Sequence, residues 1–376
     1  MKNNSTPRER WDAALNGGSC EGMVSPLCDD WCFSDIPYYW PFDEADPFPP
    51  GHAYHSLSRQ MAMGGVCGWD STFVTAIQFK PTSKTPVWKS KTYNKDGSPN
   101  SFTESQIETP YGNLTHVVEN SPASHRVVEQ WVNTREDYRR LIWYLDRAFD
   151  IDMDAAIADG KMLRAAAGNK GLLGTWVPPV YNVFCNTQNM FYHLMDWPDE
   201  YEAFLEASLR YTLNMLDVYA KADFDYIFYM IPGTEWVSPG FYEQYVHESS
   251  KKIMSRWRSY GKKVMIHSCG HMKLFIENGY FNELMPDIFE TLSTPPVGNV
   301  PDLKWGRERL HKDIITKGNL ELDIMLEGSE EDVRNGVRRI KEQARGTRHV
   351  VGLSDNLLPG TPLANCLAFT EESRRV

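Results

Sequence analysis

A histidine and a cysteine two residues apart are the residues of this sequence best suited to metal chemistry. The apolar run Val264–Ile266 leads directly into His267 and Cys269, and Gly270 follows. Side chains at positions i and i+2 of a strand share one face, so the imidazole and the thiolate can reach one soft metal ion. A buried histidine packed beside a buried cysteine is the commoner explanation for such a pair taken alone. The elements around the pair decide between these two interpretations.

Short apolar strands and helices alternate along residues 171–355. Ser238-Pro239, for example, opens a helix with a good N-cap and a proline in the first turn. This alternation predicts a parallel sheet wrapped by helices, and the number of elements favours an α/β fold of the (β/α)8 TIM barrel type, one domain over 1–376. The active face of such a barrel is formed by the carboxyl ends of its strands. Four candidate metal ligands fall at such ends: His267, Cys269, Glu290 and Asp355.

Several short motifs run through most of the chain in a fixed order. They are Thr6–Leu15, Glu108–Gly112, His267–Gly270, Leu292–Gly298, Lys317–Asn319, Leu326–Gly328 and Ser354–Asn365. Together they resemble the uroporphyrinogen decarboxylase-like superfamily, and within it the zinc- and corrinoid-dependent methyltransferases. The resemblance implies a TIM barrel, a zinc ion bound by His267, Cys269 and a third residue, and a corrinoid supplied by a separate carrier protein.

The third zinc ligand is left open between two carboxylates. Methyltransferases of this family commonly place a cysteine near the last strand, where this sequence has Ser354, Asp355 and Asn356. The related cobalamin-independent methionine synthases instead supply a glutamate soon after the His-x-Cys pair, where this sequence has Glu290. We therefore expect Glu290 to be the third ligand, with Asp355 as the alternative.

Residues 20–130 differ from the rest of the chain in their many aromatic residues and prolines. Alternating polar and apolar residues on both sides of Asp96-Gly97 predict an inserted antiparallel hairpin. The aromatic side chains either pack this extra layer or line a substrate pocket. Glu235 is expected at a strand end, as a catalytic proton donor or as an exposed cap. The residues expected to contact substrate are Trp31, Tyr38, Trp40, Asn186, Tyr192 and Asn356.

Composition narrows the class of protein. The formal net charge of -11 disfavours nucleic acid as a partner. No apolar run approaches the length of a membrane span, and no apolar signal region opens the sequence. Seven cysteines, an odd number spread over the chain, do not suggest a secreted disulfide framework. We expect a cytoplasmic protein that binds neither nucleic acid nor membrane.

The resemblance implies methyl transfer rather than decarboxylation. The sequence lacks the Met-Arg-Gln-Ala-Gly-Arg-type segment of true uroporphyrinogen decarboxylases and the Asp-x-His-x-x-Gly motif of cobalamin-binding domains. We expect a zinc-dependent methyltransferase that moves a methyl group from a small methylated substrate, such as a methoxylated aromatic, to the Co(I) corrinoid of a carrier protein. The alternatives are a methylcorrinoid:thiol methyltransferase, a decarboxylase-like enzyme and a non-catalytic metal-binding partner subunit.

Overall fold

The computed structural model describes residues 5–33, 35–121, 125–182, 184 and 187–375. The strands are β1 (Ser71–Val74), β2 (Trp88–Asn94), β3 (Ser101–Ile107), β4 (Leu114–Asn120), β5 (His125–Glu129), β6 (Gly171–Val177), β7 (Tyr226–Met230), β8 (Lys263–Ser268), β9 (Ile288–Thr291), β10 (Ile315–Leu320) and β11 (His349–Leu353). They form a seven-stranded parallel sheet, in the order β1-β6-β7-β8-β9-β10-β11, and a four-stranded antiparallel sheet.

Helices occupy most of the connections between the parallel strands. They are α1 (Pro7–Leu15), α2 (His55–Cys67), α3 (Arg135–Leu145), α4 (Met153–Ala167), α5 (Thr187–Asp196), α6 (Pro198–Lys221), α7 (Pro239–Phe241), α8 (Glu248–Arg258), α9 (Lys273–Glu277), α10 (Tyr280–Leu284), α11 (Leu303–Arg309), α12 (Leu322–Glu327), α13 (Glu330–Gln343) and α14 (Leu363–Arg374). A π-helical segment, Tyr242–His247, joins α7 to α8. Ser238 caps α7 through its side chain, as the Ser-Pro pair predicts.

The parallel sheet is strongly curled. The Lys317 Nζ atom of β10 lies 3.3 Å from the Thr72 Oγ1 atom of β1, although these strands stand near opposite edges of the sheet. Beyond β11, Val24 forms a parallel bridge with Val351, and the Val24 carbonyl accepts a hydrogen bond from the Asp70 amide just before β1. No eighth regular strand occurs within the described ranges. The structure therefore confirms the predicted α/β fold with a curled parallel sheet, which has seven strands where the sequence predicted eight.

The two faces of the curled sheet bury different sets of side chains. A compact apolar cluster fills its inner side and is closed by Trp11 of α1. The inner residues come from successive strands, as the period of two requires: Leu172, Tyr226, Phe228, Met265, Ile288, Ile315 and Val350. Gly174 leaves room for the Tyr226 ring, because a Cβ atom at this position would overlap it. The helices cover the outer side with a larger apolar core.

The antiparallel sheet lies within the aromatic-rich segment. Strands β2 and β3 form the predicted hairpin, with Trp88 opposite Ile107 and Asn94 opposite Ser101. Strands β4 and β5 extend the hairpin to four strands, so the insertion is larger than the sequence pattern indicated.

None of the described helices combines the length and the apolar character that a membrane span requires.

Candidate metal centre

Three potential metal ligands meet at the carboxyl edge of the parallel sheet. The ligand atoms of His267, Cys269 and Asp355 all lie within 4.8 Å of one another. His267 ends the inner face of β8 and is 4% exposed, and its Nε2 atom lies 3.8 Å from the Asp355 Oδ1 atom. Asp355 follows β11, so the group joins two strands that are far apart in the sequence. Within the described ranges this is the one cluster of at least three His, Cys, Asp or Glu side chains with such spacing.

Glu290, the residue expected as third ligand, lies behind His267 and outside this group. Its Oε1 atom is 2.9 Å from His267 Nδ1, the ring nitrogen opposite the Nε2 atom that faces Asp355. The contact follows from sheet register, which sets His267 of β8 beside Glu290 of β9. Burial alone would lower the pKa of His267, but its hydrogen bonds with Cys269 and Glu290 raise it to about 10.

Lys317 completes the polar row behind the histidine. It stands in register with Glu290 on β10, and its Nζ atom donates to the Glu290 Oε2 atom. Both side chains are 1% exposed, so the ammonium and the carboxylate form a buried ion pair. Burial would raise the pKa of Glu290, but the Lys317 charge and His267 hold it below its ordinary value. Glu290 is therefore an ionised acceptor with both oxygens in use.

An aromatic row occupies the other side of His267. The Phe228 ring of β7 stacks on the imidazole, with ring centres 4.9 Å apart and planes inclined by 26°. Trp176 of β6 stacks on Phe228 in turn, at 5.4 Å and 29°. Trp176 is 46% exposed, whereas Phe228 is buried. His267 thus stands at a boundary between a polar half and an aromatic half of the sheet's inner face.

Glu235 contacts the loop that carries Cys269. Its Oε2 atom accepts a hydrogen bond from the backbone amide of His271 at 2.9 Å. Its carboxylate fills the space left by Gly233 and Gly270, since a Cβ atom at either position would overlap it. The neighbouring Thr234 donates from its amide and its hydroxyl to the His271 carbonyl. Glu235 therefore holds the turn that follows Cys269.

Asn356 and Trp31 meet through Asp29. The Asn356 amide donates to Asp29 Oδ2 at 2.7 Å, and its carbonyl oxygen accepts from the Asp29 amide and from the Cys32 thiol. The Trp31 indole donates to the same Asp29 oxygen at 3.3 Å. Asn356 thus ties the N-terminal segment to the loop that carries Asp355, and its polar atoms are used in doing so.

The structure does not bring the remaining expected contact residues to the metal group. Tyr38 donates to Asp46 and lines a separate apolar cavity of about 190 Å³. Trp40 packs against Phe42 and lies near Lys170. Lys170 directly precedes β6 and therefore lies at the amino edge of the sheet, opposite the carboxyl edge that holds the metal group. Tyr192 is 59% exposed on α5. Asn186 lies outside the described residues.

The donor set fits a zinc ion. An imidazole nitrogen, a thiolate and a carboxylate are the ligand types that zinc takes, and bond lengths of about 2.0–2.3 Å put neighbouring ligand atoms about 3.5 Å apart. The distance of 3.8 Å between His267 Nε2 and Asp355 Oδ1 is close to that value, and all three ligand atoms lie within 4.8 Å of one another. A carboxylate on the second nitrogen of a metal-binding histidine fixes its tautomer and ring orientation. Glu290 has this relationship to His267.

Lys317, Phe228 and Trp176 contribute to the site without having been predicted to do so. The position of Lys317 within the apolar strand β10 was the available signal, because a buried ammonium requires a buried anion nearby. The sequence contains no comparable indication of the aromatic row, because Phe228 and Trp176 have the pattern of ordinary core residues in buried strands.

Known proteins share sequence or fold with this chain. The family model for uroporphyrinogen decarboxylase (URO-D) matches residues 180–376. Over 75 residues the chain is 28% identical to uroporphyrinogen decarboxylase of Prochlorococcus marinus strain NATL1A and 32% identical to that of strain MIT 9303. These matches take in 20% of this chain, and the chain spans only 21% of the length of each relative.

The fold likeness extends over nearly the whole chain. A methyltransferase from Methanosarcina mazei superposes with a TM-score of 0.62 over 98% of both chains, at 13% sequence identity. That identity supports a shared fold and carries no further information about chemistry. The family model covers the strands that supply His267, Cys269 and Asp355, and the resemblance in sequence is confirmed. The chain belongs to the uroporphyrinogen decarboxylase family.

Proposed function

We propose that this protein is a cytoplasmic zinc-dependent methyltransferase that moves a methyl group from a small methylated substrate to the Co(I) corrinoid of a separate carrier protein. The observation that carries the proposal is the group formed by His267, Cys269 and Asp355 at the carboxyl edge of the sheet. The fold shared with a methyltransferase is consistent with this assignment.

We propose His267, Cys269 and Asp355 as the zinc ligands. Asp355 takes the place first expected of Glu290, because both oxygens of Glu290 are already engaged by His267 and Lys317. Three protein ligands leave one position open, and the bound zinc would supply Lewis-acid stabilisation to the oxygen that departs when the methyl group is transferred.

The surrounding side chains have supporting roles in this proposal. Glu290 accepts a hydrogen bond from the Nδ1–H group of His267, which leaves Nε2 free to bind the metal. Lys317 keeps Glu290 ionised without adding net charge to the site. Phe228 covers one face of the imidazole and excludes water from it. Glu235 fixes the turn after Cys269, a contact that favours a positioning role over that of a proton donor.

The buried charges disfavour decarboxylation of a polycarboxylate. Such a substrate requires unpaired cations, but the buried Lys317 ammonium is already paired with Glu290. In this proposal a partner protein supplies the methyl acceptor, as the motifs shared with corrinoid-dependent methyltransferases imply. We also propose that the extended segment around Val24 takes the place of the eighth strand and closes the barrel.

The test is a spectroscopic assay of methyl transfer. Zinc-loaded protein is mixed with methoxybenzene and a corrinoid carrier protein reduced to Co(I), and conversion of the Co(I) absorption to that of methyl-Co(III) is followed. We expect conversion with the wild-type protein and none with Cys269→Ser. Zinc binding without conversion, over a panel of methylated ethers, amines and thiols, would favour the non-catalytic alternative. Demethylation at full rate without corrinoid would refute the proposal.

A further inference from the structure

The apolar cavity lined by Tyr38 lies between α2, the segment 33–39 and the start of α14. Its volume is about 190 Å³. A cavity of about 150 Å³ can hold a benzene molecule, so this one has room for a ligand with the bulk of one ring. Tyr39 in its wall is 68% exposed, so the cavity opens to solvent beside that ring. A corrinoid or a tetrapyrrole is far too large to enter it.

The wall of the cavity is apolar apart from one cation. Phe33 and Met63 in the wall are buried members of the outer core, so packing fixes the shape of this side. The Tyr38 hydroxyl donates to Asp46, so the polar end of Tyr38 is already occupied. Among the described residues that line the cavity, Arg59 of α2 is the one that carries a charge.

The Arg59 guanidinium has unused hydrogen-bonding capacity. One of its terminal nitrogens donates to the Phe33 carbonyl. Within the described ranges Arg59 forms no ion pair, and its buried Nε atom has no hydrogen-bond partner. A buried N–H donor without an acceptor costs free energy. Arg59 therefore meets the cavity as a cation that lacks an anionic partner.

A carboxylate is the anion that suits this wall. It can accept two parallel hydrogen bonds from one guanidinium, and such charge-assisted bonds are stronger than those between neutral groups. One guanidinium balances the single negative charge of a carboxylate. A phosphate monoester would bring close to two negative charges at neutral pH, and the apolar wall offers no second cation to balance them.

We infer that this cavity binds a small apolar monocarboxylate, with the carboxylate on Arg59 and the hydrocarbon body against the apolar wall. The residues that would cover this body are Phe33, Ile36, Met63, Val66 and Leu363. The inference does not rest on the proposed function, because no residue of the metal group lines the cavity.

The test is calorimetric titration of the full-length protein, treated with a chelator so that no bond between a carboxylate and a metal contributes. The probes are benzoate, benzamide and acetate. Benzamide keeps the ring and removes the charge, whereas acetate keeps the charge and removes the ring. We expect benzoate to bind most tightly, and the other two to bind about 10-fold more weakly or less, because each lacks one of the two contacts.

Three variants locate the binding site. Arg59→Gln should weaken benzoate binding about 10- to 100-fold, as for the loss of a hydrogen bond to a charged group. Arg345→Gln is the matched control, because Arg345 is exposed and does not line the cavity, and it should leave benzoate affinity unchanged. Val66→Phe keeps Arg59 but adds bulk to the apolar wall, so it should also weaken benzoate binding.

Several outcomes would overturn the inference. They are the absence of benzoate binding to the wild type, equal affinity for benzamide or acetate, and unchanged benzoate affinity in Arg59→Gln. Thermal unfolding within a few degrees of the wild type would show that each variant is folded. If Arg59→Gln does not fold, the ranking of the three probes and the loss in Val66→Phe decide the question. A failed methyl-transfer assay leaves a positive result intact, because binding is measured without metal.

Discussion

Glu290 stands directly behind His267, with its Oε1 atom 2.9 Å from the Nδ1 atom of the imidazole. The two residues are partners in the register of β8 and β9, and Lys317 follows in the register of β9 and β10. The register of the sheet therefore places His267, Glu290 and Lys317 side by side in one row. This row turns Nε2 towards Asp355 and Cys269, so the fold orients the histidine before any metal binds.

The buried pair of Glu290 and Lys317 predicts strong coupling in a double-mutant cycle. Glu290→Gln alone should lower the free energy of unfolding by about 3–5 kcal/mol, because it leaves the buried Lys317 ammonium unpaired. Lys317→Met alone should lower it by less, because Glu290 keeps its contact with His267. The double variant should recover most of this loss. Urea unfolding of the four proteins measures the coupling, and additive losses in the double variant would contradict the account.

The same double variant tests the role of Glu290 in metal binding. Its glutamine can still accept from His267 Nδ1 but carries no charge. We expect zinc affinity to fall by about 10- to 100-fold, as for loss of a residue that orients a ligand. Asp355→Ala should cost more, because it removes a proposed ligand. Chelator competition gives both values, and the opposite order would return Glu290 to the place of third ligand.

Sequence patterns predicted part of this site because part of it is local. The period of two predicts that His267 and Cys269 lie on one side of the chain at the end of β8, and this requires no knowledge of the fold. The choice between Glu290 and Asp355 depends on the register of the sheet and on how close β11 comes to β8 in the fold. Both residues follow apolar strands, so the pattern alone could not separate them.

Contacts between segments that are distant in the sequence could not be predicted from it either. Asn356 was expected to contact substrate, but its amide is held by Asp29, which is 327 residues away in the chain. Trp40 was grouped with Trp31 because both lie in the aromatic segment. The fold instead sets Trp40 beside Lys170, at the opposite edge of the sheet. The hairpin was predictable because its turn and its alternation are local.

Gly270 is predicted to be essential for the turn after Cys269. An alanine there would strain the backbone, whose φ is +90°, and its Cβ atom would overlap the Glu235 carboxylate. Gly51→Ala is the matched control, since Gly51 has a φ of +92° and open space around it. We expect Gly270→Ala to lose more stability and more zinc affinity than Gly51→Ala. Glu235→Ala should relieve part of the loss in a double variant, and equal effects of the two glycine substitutions would contradict the role of Glu235.

The burial of the His349 imidazole predicts that the protein loses stability in mild acid. Burial and the nearby Arg307 charge lower the pKa of its imidazole to about 3, and its Nδ1 atom lies 2.9 Å from Thr316 Oγ1. The unfolded chain takes up this proton near pH 6.5, so the free energy of unfolding falls as the pH drops from about 6.5 towards 3. Between pH 7 and pH 5 the wild type should lose about 2 kcal/mol more than His349→Gln. Parallel urea titrations that show no such difference would exclude His349 as the source.

The zinc content of four variants tests the central claim most directly. After equilibrium dialysis, elemental analysis should find about one zinc per wild-type chain, as three protein ligands and one open position require. His267→Ala, Cys269→Ser and Asp355→Ala should each retain far less zinc while staying folded. His271→Ala, the matched control, should keep its metal, because His271 lies beside the site and outside the ligand group. Full zinc occupancy in His267→Ala and Cys269→Ser would contradict the metal centre.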